Sequence, residues 1–284
     1  GGIGLLDRGW LWGTGMKKAS EESAVVFFDV DGTLIEGEHP PSVQVARSIR
    51  NLADCGHVPV LCTGRPICHL APELSDLPWT GVVTLAGASV RWEGGLLYRC
   101  TMPIDLLQET MDCLWREKIE FILQGDEECC FVGAGEVSSP KTVRAENPTQ
   151  ARQMFPTLPF VKLELKGDTL PGLLRHEDFL KQHFSLQDIG IGIYELALPN
   201  INKENAVRLL LDAIGHSREN TYAIGDSEND LGMLEAVQTP IAMGNALPHV
   251  KKKAVWVTDT VRKDGVYTAL QHFGLIEKCE TKKF

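Results

Sequence analysis

Apolar positions fall along this chain in short dense runs separated by amphipathic stretches. AVVFFDV, from Ala24, is rich in β-branched and aromatic residues and predicts a strand buried on both faces. In PSVQVARSIRNLADCG, Val43, Ala46, Ile49 and Ala53 recur at helical spacing, with Pro41 suited to the first turn and Gly56 to a C-terminal cap. VPVLCT (58–63) and GVVTLAG (81–87) predict two further strands. Strand, helix, strand in this order predicts βαβ units and a parallel sheet. The last third keeps the rhythm: a helix at 203–215 closed by Gly215, a strand at 220–226, a helix in SENDLGMLEAV, strands at 240–244 and 254–259, and a helix at 264–274 ended by Gly274.

Residues 98–192 have another texture. A helical segment (IDLLQETMDCLWREK), short strands (EFILQGD, CCFVGAG, FVKLELKGD) and turn-rich joints (EVSSPKT, AENPTQ) predict an inserted α+β domain. The expected fold class is therefore α/β: a Rossmann-like core with a parallel sheet from residues 24–97 and 193–284, interrupted by a smaller domain at 98–192. Residues 1–23 are set apart. Their opening GGIGLLDRGWLWGTG holds six glycines, and Asp7 and Arg8 break the apolar stretch a signal peptide would need. They are expected to be a disordered or foreign extension, with Met16 a candidate start.

Composition narrows the function. The chain has 284 residues, 43% hydrophobic and 23% charged, which excludes a disordered or fibrous protein. A net charge of −10 argues against non-specific binding to nucleic acid or an anionic membrane. Positive charge for an anionic ligand must then be local or brought by a metal. No apolar run approaches the roughly 20 residues of a spanning helix. Eight cysteines are scattered, several inside apolar runs such as that of Cys62, and no CxxC pair occurs. Reduced thiols in a cytoplasmic protein are expected, with no support for a zinc ribbon or a disulfide framework.

Four fragments carry chemistry. In VVFFDVDGTL a buried strand runs into Asp29 and Asp31, whose spacing of two aims both carboxylates at one spot above the strand's C-terminal end, where open α/β sheets bind ligands. Their repulsion calls for a divalent cation or a shared proton, although solvated loop acids or a helix cap would leave the same pattern. YAIGDSENDLGML delivers Asp226, Asn229 and Asp230 at the end of a second strand. Acidic oxygens from two strand ends suit a Mg²⁺ site that retains waters. In LCTGRP, Thr63 offers a hydroxyl and Gly64 an unobstructed amide to a phosphate oxygen. Lys203 adds a cation at a helix start, where free amides already favour an anion.

In this order the fragments resemble the four motifs of the haloacid dehalogenase (HAD) superfamily of phosphohydrolases: DVDGTL, Thr63, Lys203 and GDSEND. PIAMGNA (240–246) and KDGV (263–266) are similar to its Cof-type branch, in which a large α/β cap lies between the second and third motifs. The resemblance covers about residues 24–274. It implies Asp29 as nucleophile and Asp31 as general acid/base. Mg²⁺ would be held by Asp29, Asp226 and the backbone carbonyl of Asp31. The phosphate would be held by the backbone of Val30, Thr63, Gly64, Lys203 and Asn229, with Asp230 behind them. A small soluble phosphate ester, a sugar phosphate before others, is the expected partner, turned over through an aspartyl-phosphate under a closing cap. A monomer or weak homodimer is the expected assembly.

Two departures stand out. Ala86, in LAGAS, takes the place of the branch's usual Asn, and Glu204 follows Lys203 where Gly is usual. A phosphohexomutase would use the same core but return the phosphate to a sugar, so release without a bisphosphate activator separates the two. A non-catalytic phosphometabolite-binding module is disfavoured because Asp29, Asp31, Lys203 and Asp226 are all present. In the inserted stretch Trp115, Glu128, Lys162, Glu164 and His176 are candidates to touch the leaving group.

Overall fold

The structure, a computed structural model, describes residues 19–166, 170–190 and 192–277. The expectations for residues 1–18 lie outside them. The strands are β1 (Val25–Phe28), β2 (Val58–Cys62), β3 (Gly81–Thr84), β4 (Ser89–Trp92), β5 (Gly95–Arg99), β6 (Phe121–Gln124), β7 (Cys129–Val132), β8 (Thr142–Ala145), β9 (Lys162–Leu165), β10 (Ser185–Gly190), β11 (Ile193–Ala197), β12 (Thr221–Gly225), β13 (Thr239–Ala242) and β14 (Trp256–Val257). The helices are α1 (Val43–Asp54), α2 (Pro72–Ser75), α3 (Ile104–Arg116), α4 (Pro148–Met154), α5 (Leu170–Leu174), α6 (Glu177–His183), α7 (Lys203–Ile214), α8 (Leu231–Ala236), α9 (Pro248–Lys251) and α10 (Gly265–His272). The chain forms two compact units, one holding residues 65–69 and 99–201, the other the remaining described residues.

Among the described residues the larger sheet runs β14-β13-β12-β1-β2-β3-β4-β5. It is parallel from β14 to β3, and β4 returns antiparallel to β3. β1 lies inside the sheet and all four of its residues are buried, which is why it reads as an unbroken apolar run. Phe27, Leu61, Ile224 and the α7 residues Val207 and Leu210 share its core. This is the expected Rossmann-like α/β arrangement.

Local details differ from expectation for physical reasons. Ser42, not Pro41, opens α1, because its hydroxyl accepts the amide of Val45 at 3.1 Å. Residues 85–87 leave the strand, Leu85 and Ala86 turning at φ 51° and 54°. SENDLGMLEAV begins as a tighter turn over Glu228–Asp230 before α8 starts. β4 and β5 are an unexpected edge hairpin around Glu93 and Gly94, and β5 is largely exposed, so no clean apolar alternation marks it.

The smaller sheet runs β10-β11-β9-β6-β7-β8, antiparallel except for the β7–β8 pair. Phe121, Leu123, Leu163, Leu165 and Leu196 point to one face and share a core with Leu107, Met111 and Leu114 of α3. The strand Ile193–Ala197, expected in the core portion that starts at residue 193, instead pairs with β9 in this sheet. AENPTQ, expected as a turn-rich joint, starts α4: Asn147 accepts the Gln150 amide at 2.9 Å and Pro148 stands at the first helical position. No helix among the described residues is long and apolar enough to cross a membrane.

Candidate active site

β1 and β12 are parallel neighbours, with Phe28 opposite Ile224. Their C-terminal ends therefore deliver Asp29 and Asp226 to one edge of the sheet, and the Asp29 amide donates to the Ile224 carbonyl at 3.1 Å. Lys203 opens α7, whose cap Asn202 accepts the Asn205 amide at 2.8 Å. Its Nζ donates to Oδ1 of Asp29 and Oδ1 of Asp230, each at 2.7 Å. Lys203 and Asp29 are buried and Asp230 is fully so. The second oxygen of Asp230 accepts the amides of Asp226 (3.0 Å) and Ser227 (3.2 Å), so one side chain fastens the loop after β12 and orients the lysine. Thr33 Oγ1 adds a 3.4 Å hydrogen bond to Asp29 Oδ2.

Burial sets the charge states. It pushes the Asp29 carboxyl well above the usual range, helped by the charge of Asp230 and opposed by Lys203. Burial likewise raises Asp226 to about 6. Asp230 is held below the usual range because Lys203 and the two amides outweigh its burial. Burial alone would lower Lys203, but Asp230 and Asp29 hold its ammonium well above the ordinary lysine value. Three carboxyl groups thus surround one ammonium, and burial disfavours the charged forms of two of them, Asp29 and Asp226.

The donor set fits a hard divalent cation. Carboxylate oxygens of Asp29, Asp226 and Asp230 lie within 4.8 Å of one another. Asp226 Oδ1 is buried with no hydrogen-bond partner, an expensive state that a cation would relieve. Gly32 makes the space: at φ +79°, a Cβ there would stand 2.0 Å from Asp226 Oδ2. All donors are oxygens, which suits Mg²⁺. Asp230 is in the cluster, but Lys203 and two amides already occupy its oxygens, leaving Asp29 and Asp226 as the pair for a cation.

Asp31 corrects one expectation. Its carboxylate is exposed and lies outside that cluster. The alternation of a strand does not carry from Asp29 to Asp31 because β1 ends at Phe28. The chain then turns tightly, the Val30 carbonyl accepting the amides of Thr33, Leu34 and Ile35 at 2.9–3.1 Å.

Buried Thr63 directly follows β2; its amide donates to the Val83 carbonyl and its carbonyl accepts from Ala86, both at 2.9 Å. Half-buried Gly64 comes next, and exposed Asn229 sits on the turn Glu228–Asp230. Asn245 was not expected to matter. Its side chain donates to the Gly32 carbonyl at 2.8 Å and accepts the Val261 amide at 3.2 Å, tying the loop after β13 to the loop after β1. An Asn set between Gly244 and Ala246 is the signal that could have found it.

The two departures are absorbed. A Cβ on Gly87 would meet the Asn202 carbonyl at 2.5 Å, so the turn at 85–87 packs directly under the start of α7. Glu204 is accommodated by Gly232, whose Cβ would come within 2.8 Å of the Glu204 Cβ. The helix start stays regular.

In the smaller unit, Lys162 is buried and 3.1 Å from Glu195, while Glu164, pushed up by burial and by Glu195, accepts from Gln124 at 3.2 Å. These four form a polar row on the sheet face opposite α3. His176 hydrogen-bonds Glu117 at 2.8 Å; Trp115 and Glu128 are exposed.

Residues 26–270 match the family described as haloacid dehalogenase-like hydrolase. The chain is 26% identical, over 88% of its length and 96% of the relative's, to the 5-amino-6-(5-phospho-D-ribitylamino)uracil phosphatase YcsE of Bacillus subtilis (strain 168). It is 24% identical, over 86% and 96%, to a phosphoglycolate phosphatase of Methanothermobacter thermautotrophicus. Among solved structures, the HAD-superfamily phosphatase BT1666 of Bacteroides thetaiotaomicron superposes with a TM-score of 0.77 at 25% identity, covering 97% of this chain and all of that one. The subclass IIB sugar phosphatase BT4131 superposes with a TM-score of 0.74 at 20% identity, covering 89% and 100%.

Proposed function

The chain belongs to the haloacid dehalogenase-like hydrolases and is a phosphatase of their Cof-type branch, and on that premise we propose that it is a Mg²⁺-dependent phosphomonoesterase working through an aspartyl-phosphate. The observation that carries this reading is the meeting of buried Asp29, Lys203 and the unpartnered Asp226 oxygen at the ends of β1 and β12. Asp29 attacks phosphorus, which divides a difficult hydrolysis into two easier displacements. The Thr63 hydroxyl, the amides of Gly64 and Val30, and Asn229 hold the phosphoryl oxygens. Lys203 aims Asp29 and balances the charge that spreads over those oxygens in the transition state. Asp31, exposed in the turn after β1, gives its proton to the leaving alkoxide and then takes one from the attacking water. The Asp29 and Asp226 carboxylates and the Asp31 carbonyl would hold Mg²⁺, which would supply charge neutralisation at the site.

The substrate is a small phosphorylated metabolite, with sugar phosphates the leading class. Two relatives are named for a phosphoribitylamino-uracil and for phosphoglycolate, and a structural neighbour for sugar phosphates. The inserted unit selects among them. The test is phosphate release from a panel of metabolite phosphates, with Mg²⁺ and without any bisphosphate activator, comparing the parent with Asp29→Asn. Release by the parent and its loss in the variant are expected. More than about a tenth of the parent rate in the variant would remove Asp29 as nucleophile.

A further inference from the structure

Outside the phosphatase motifs, the smaller unit gathers three metal-ligating side chains of which the candidate mechanism makes no use. Cys68 and His69 lie in the segment 65–69, and Cys129 opens β7. Their ligand atoms lie within 4.8 Å of one another. We infer that Cys68, His69 and Cys129 form a binding site for a thiophilic d¹⁰ cation of the Zn²⁺ type.

The geometry is prepared by the backbone. Asp126, itself buried, accepts the Ile67 amide on Oδ1 at 2.9 Å and the Cys68 amide on its carbonyl at 3.0 Å. The two thiols share one acceptor, the Gly125 carbonyl, at 3.9 Å from Cys68 and 3.7 Å from Cys129. Neither sulfur is therefore free to swing away without losing a contact the other keeps. His69 Nε2 lies 3.3 Å from Thr142 Oγ1, and that hydroxyl donates to the Pro140 carbonyl at 3.1 Å. Orientation of a ligating imidazole by outer polar partners is usual in metal sites. Burial lowers the His69 pKa, so the ring is neutral and keeps a lone pair.

Ligand chemistry and charge select the ion. Two sulfurs and an imidazole favour Zn²⁺ or Cu⁺ over Mg²⁺ or Ca²⁺. The charged groups acting on the three side chains are Asp126, Glu128 and Glu164, against Arg65. That excess of negative charge favours a cation. Three protein ligands leave one tetrahedral position for solvent, and Cys68 and His69 are only half-buried, so the ion has a way in. Both thiols carry protons beforehand: burial raises Cys68 and pushes Cys129 up to about 12. Binding therefore forms two metal–thiolate bonds and one metal–imidazole bond and releases two protons to solvent. The occupied site would staple the segment that follows Thr63 and Gly64 to the start of β7.

The test uses full-length protein, fully reduced, with excess Mg²⁺ to fill the oxygen site, titrated with Co²⁺ as an optical substitute for Zn²⁺. A near-ultraviolet thiolate-to-cobalt charge-transfer band saturating at one equivalent is expected, bleached by added Zn²⁺. The all-oxygen site at Asp29 and Asp226 cannot produce such a band. Cys68→Ser should abolish it, and His69→Ala should weaken binding at least about tenfold. Cys55→Ser, elsewhere in the chain, should leave it unchanged. Cys129 is fully buried, so should Cys129→Ser fail to fold, half-buried Cys68 carries the test. Absence of the band in the parent, or its survival in Cys68→Ser, would overturn the inference.

Discussion

Lys203→Met is the sharpest probe of the site. The lysine is buried and donates at 2.7 Å to two buried carboxylates, Asp29 and Asp230. Methionine keeps the volume and removes the charge, leaving Asp230 with two amides and Asp29 with Thr33. Removing one partner of a buried ion pair costs about 3–5 kcal/mol, because the remaining charge stays desolvated. At about 2–4 °C per kcal/mol for a cooperative unit of this size, the melting temperature should drop by about 6–20 °C at pH 7. The pH dependence gives a second reading. In the parent, Asp230 sits below its unfolded pKa of about 4, so its contribution is complete above that value and is lost as pH falls through the lower folded one. Without Lys203 that contribution is gone and burial pushes both carboxyls upward. The gap between parent and variant should therefore be widest at neutral pH and narrow as pH falls, first as the variant's raised carboxyls take up protons and then as the parent loses the Asp230 contribution below about pH 4. Thermal melts across pH 3–8, without and with Mg²⁺, measure it, and Mg²⁺ should recover part of the loss by supplying charge at Asp29. A gap under about 1 kcal/mol at pH 7, or one that widens in acid, would refute the assignment of Lys203 as the counter-charge.

Gly32→Ala should reduce turnover by about 100-fold or more, since its Cβ would stand 2.0 Å from Asp226 Oδ2 at a φ of +79°; calorimetric titration with Mg²⁺ should show weakened binding, and parent-like affinity would contradict the role given to Asp226. Asp31→Asn should cost far more on a sugar phosphate than on a nitrophenyl phosphate, whose leaving group needs no proton; equal losses would exclude Asp31 as the acid. Ala86→Asn should stabilise by about 0.5–1 kcal/mol in chemical denaturation, because Ala86 sits at φ 54° where Asn is better tolerated.

How much of this was legible in the residues depends on range. The α/β core was, because buried parallel strands such as β1 are apolar on both faces and leave an unbroken run. The convergence of Asp29, Asp226 and Lys203 was legible only from the four fragments taken together in their order, since each fragment alone also suits a cap or a solvated loop. Largely exposed β5 was not, and neither was α4, because Asn147 and Pro148 suit a joint as well as a helix start. Asp31 shows a limit of another kind: alternation holds only while the chain remains a strand, and this one ends three residues earlier. The Cys68, His69 and Cys129 cluster escaped because its ligands are 60 residues apart (129 less 69), with no spacing rule to link them.

The pairing of β1 with β12 also shapes the protein's birth. Phe28 meets Ile224, 196 residues further on (224 less 28). At about 5–20 residues per second, synthesis brings the second strand out about 10–40 s after the first. β2 can cover one edge of β1 early, only 30 residues on (58 less 28). The other edge, with Val25 to Phe28 all apolar, stays open on the ribosome until nearly four-fifths of the chain is made. The central strand of the finished sheet is thus, for most of translation, an unpaired apolar edge. That is the interval in which a nascent chain of this design has most need of a chaperone.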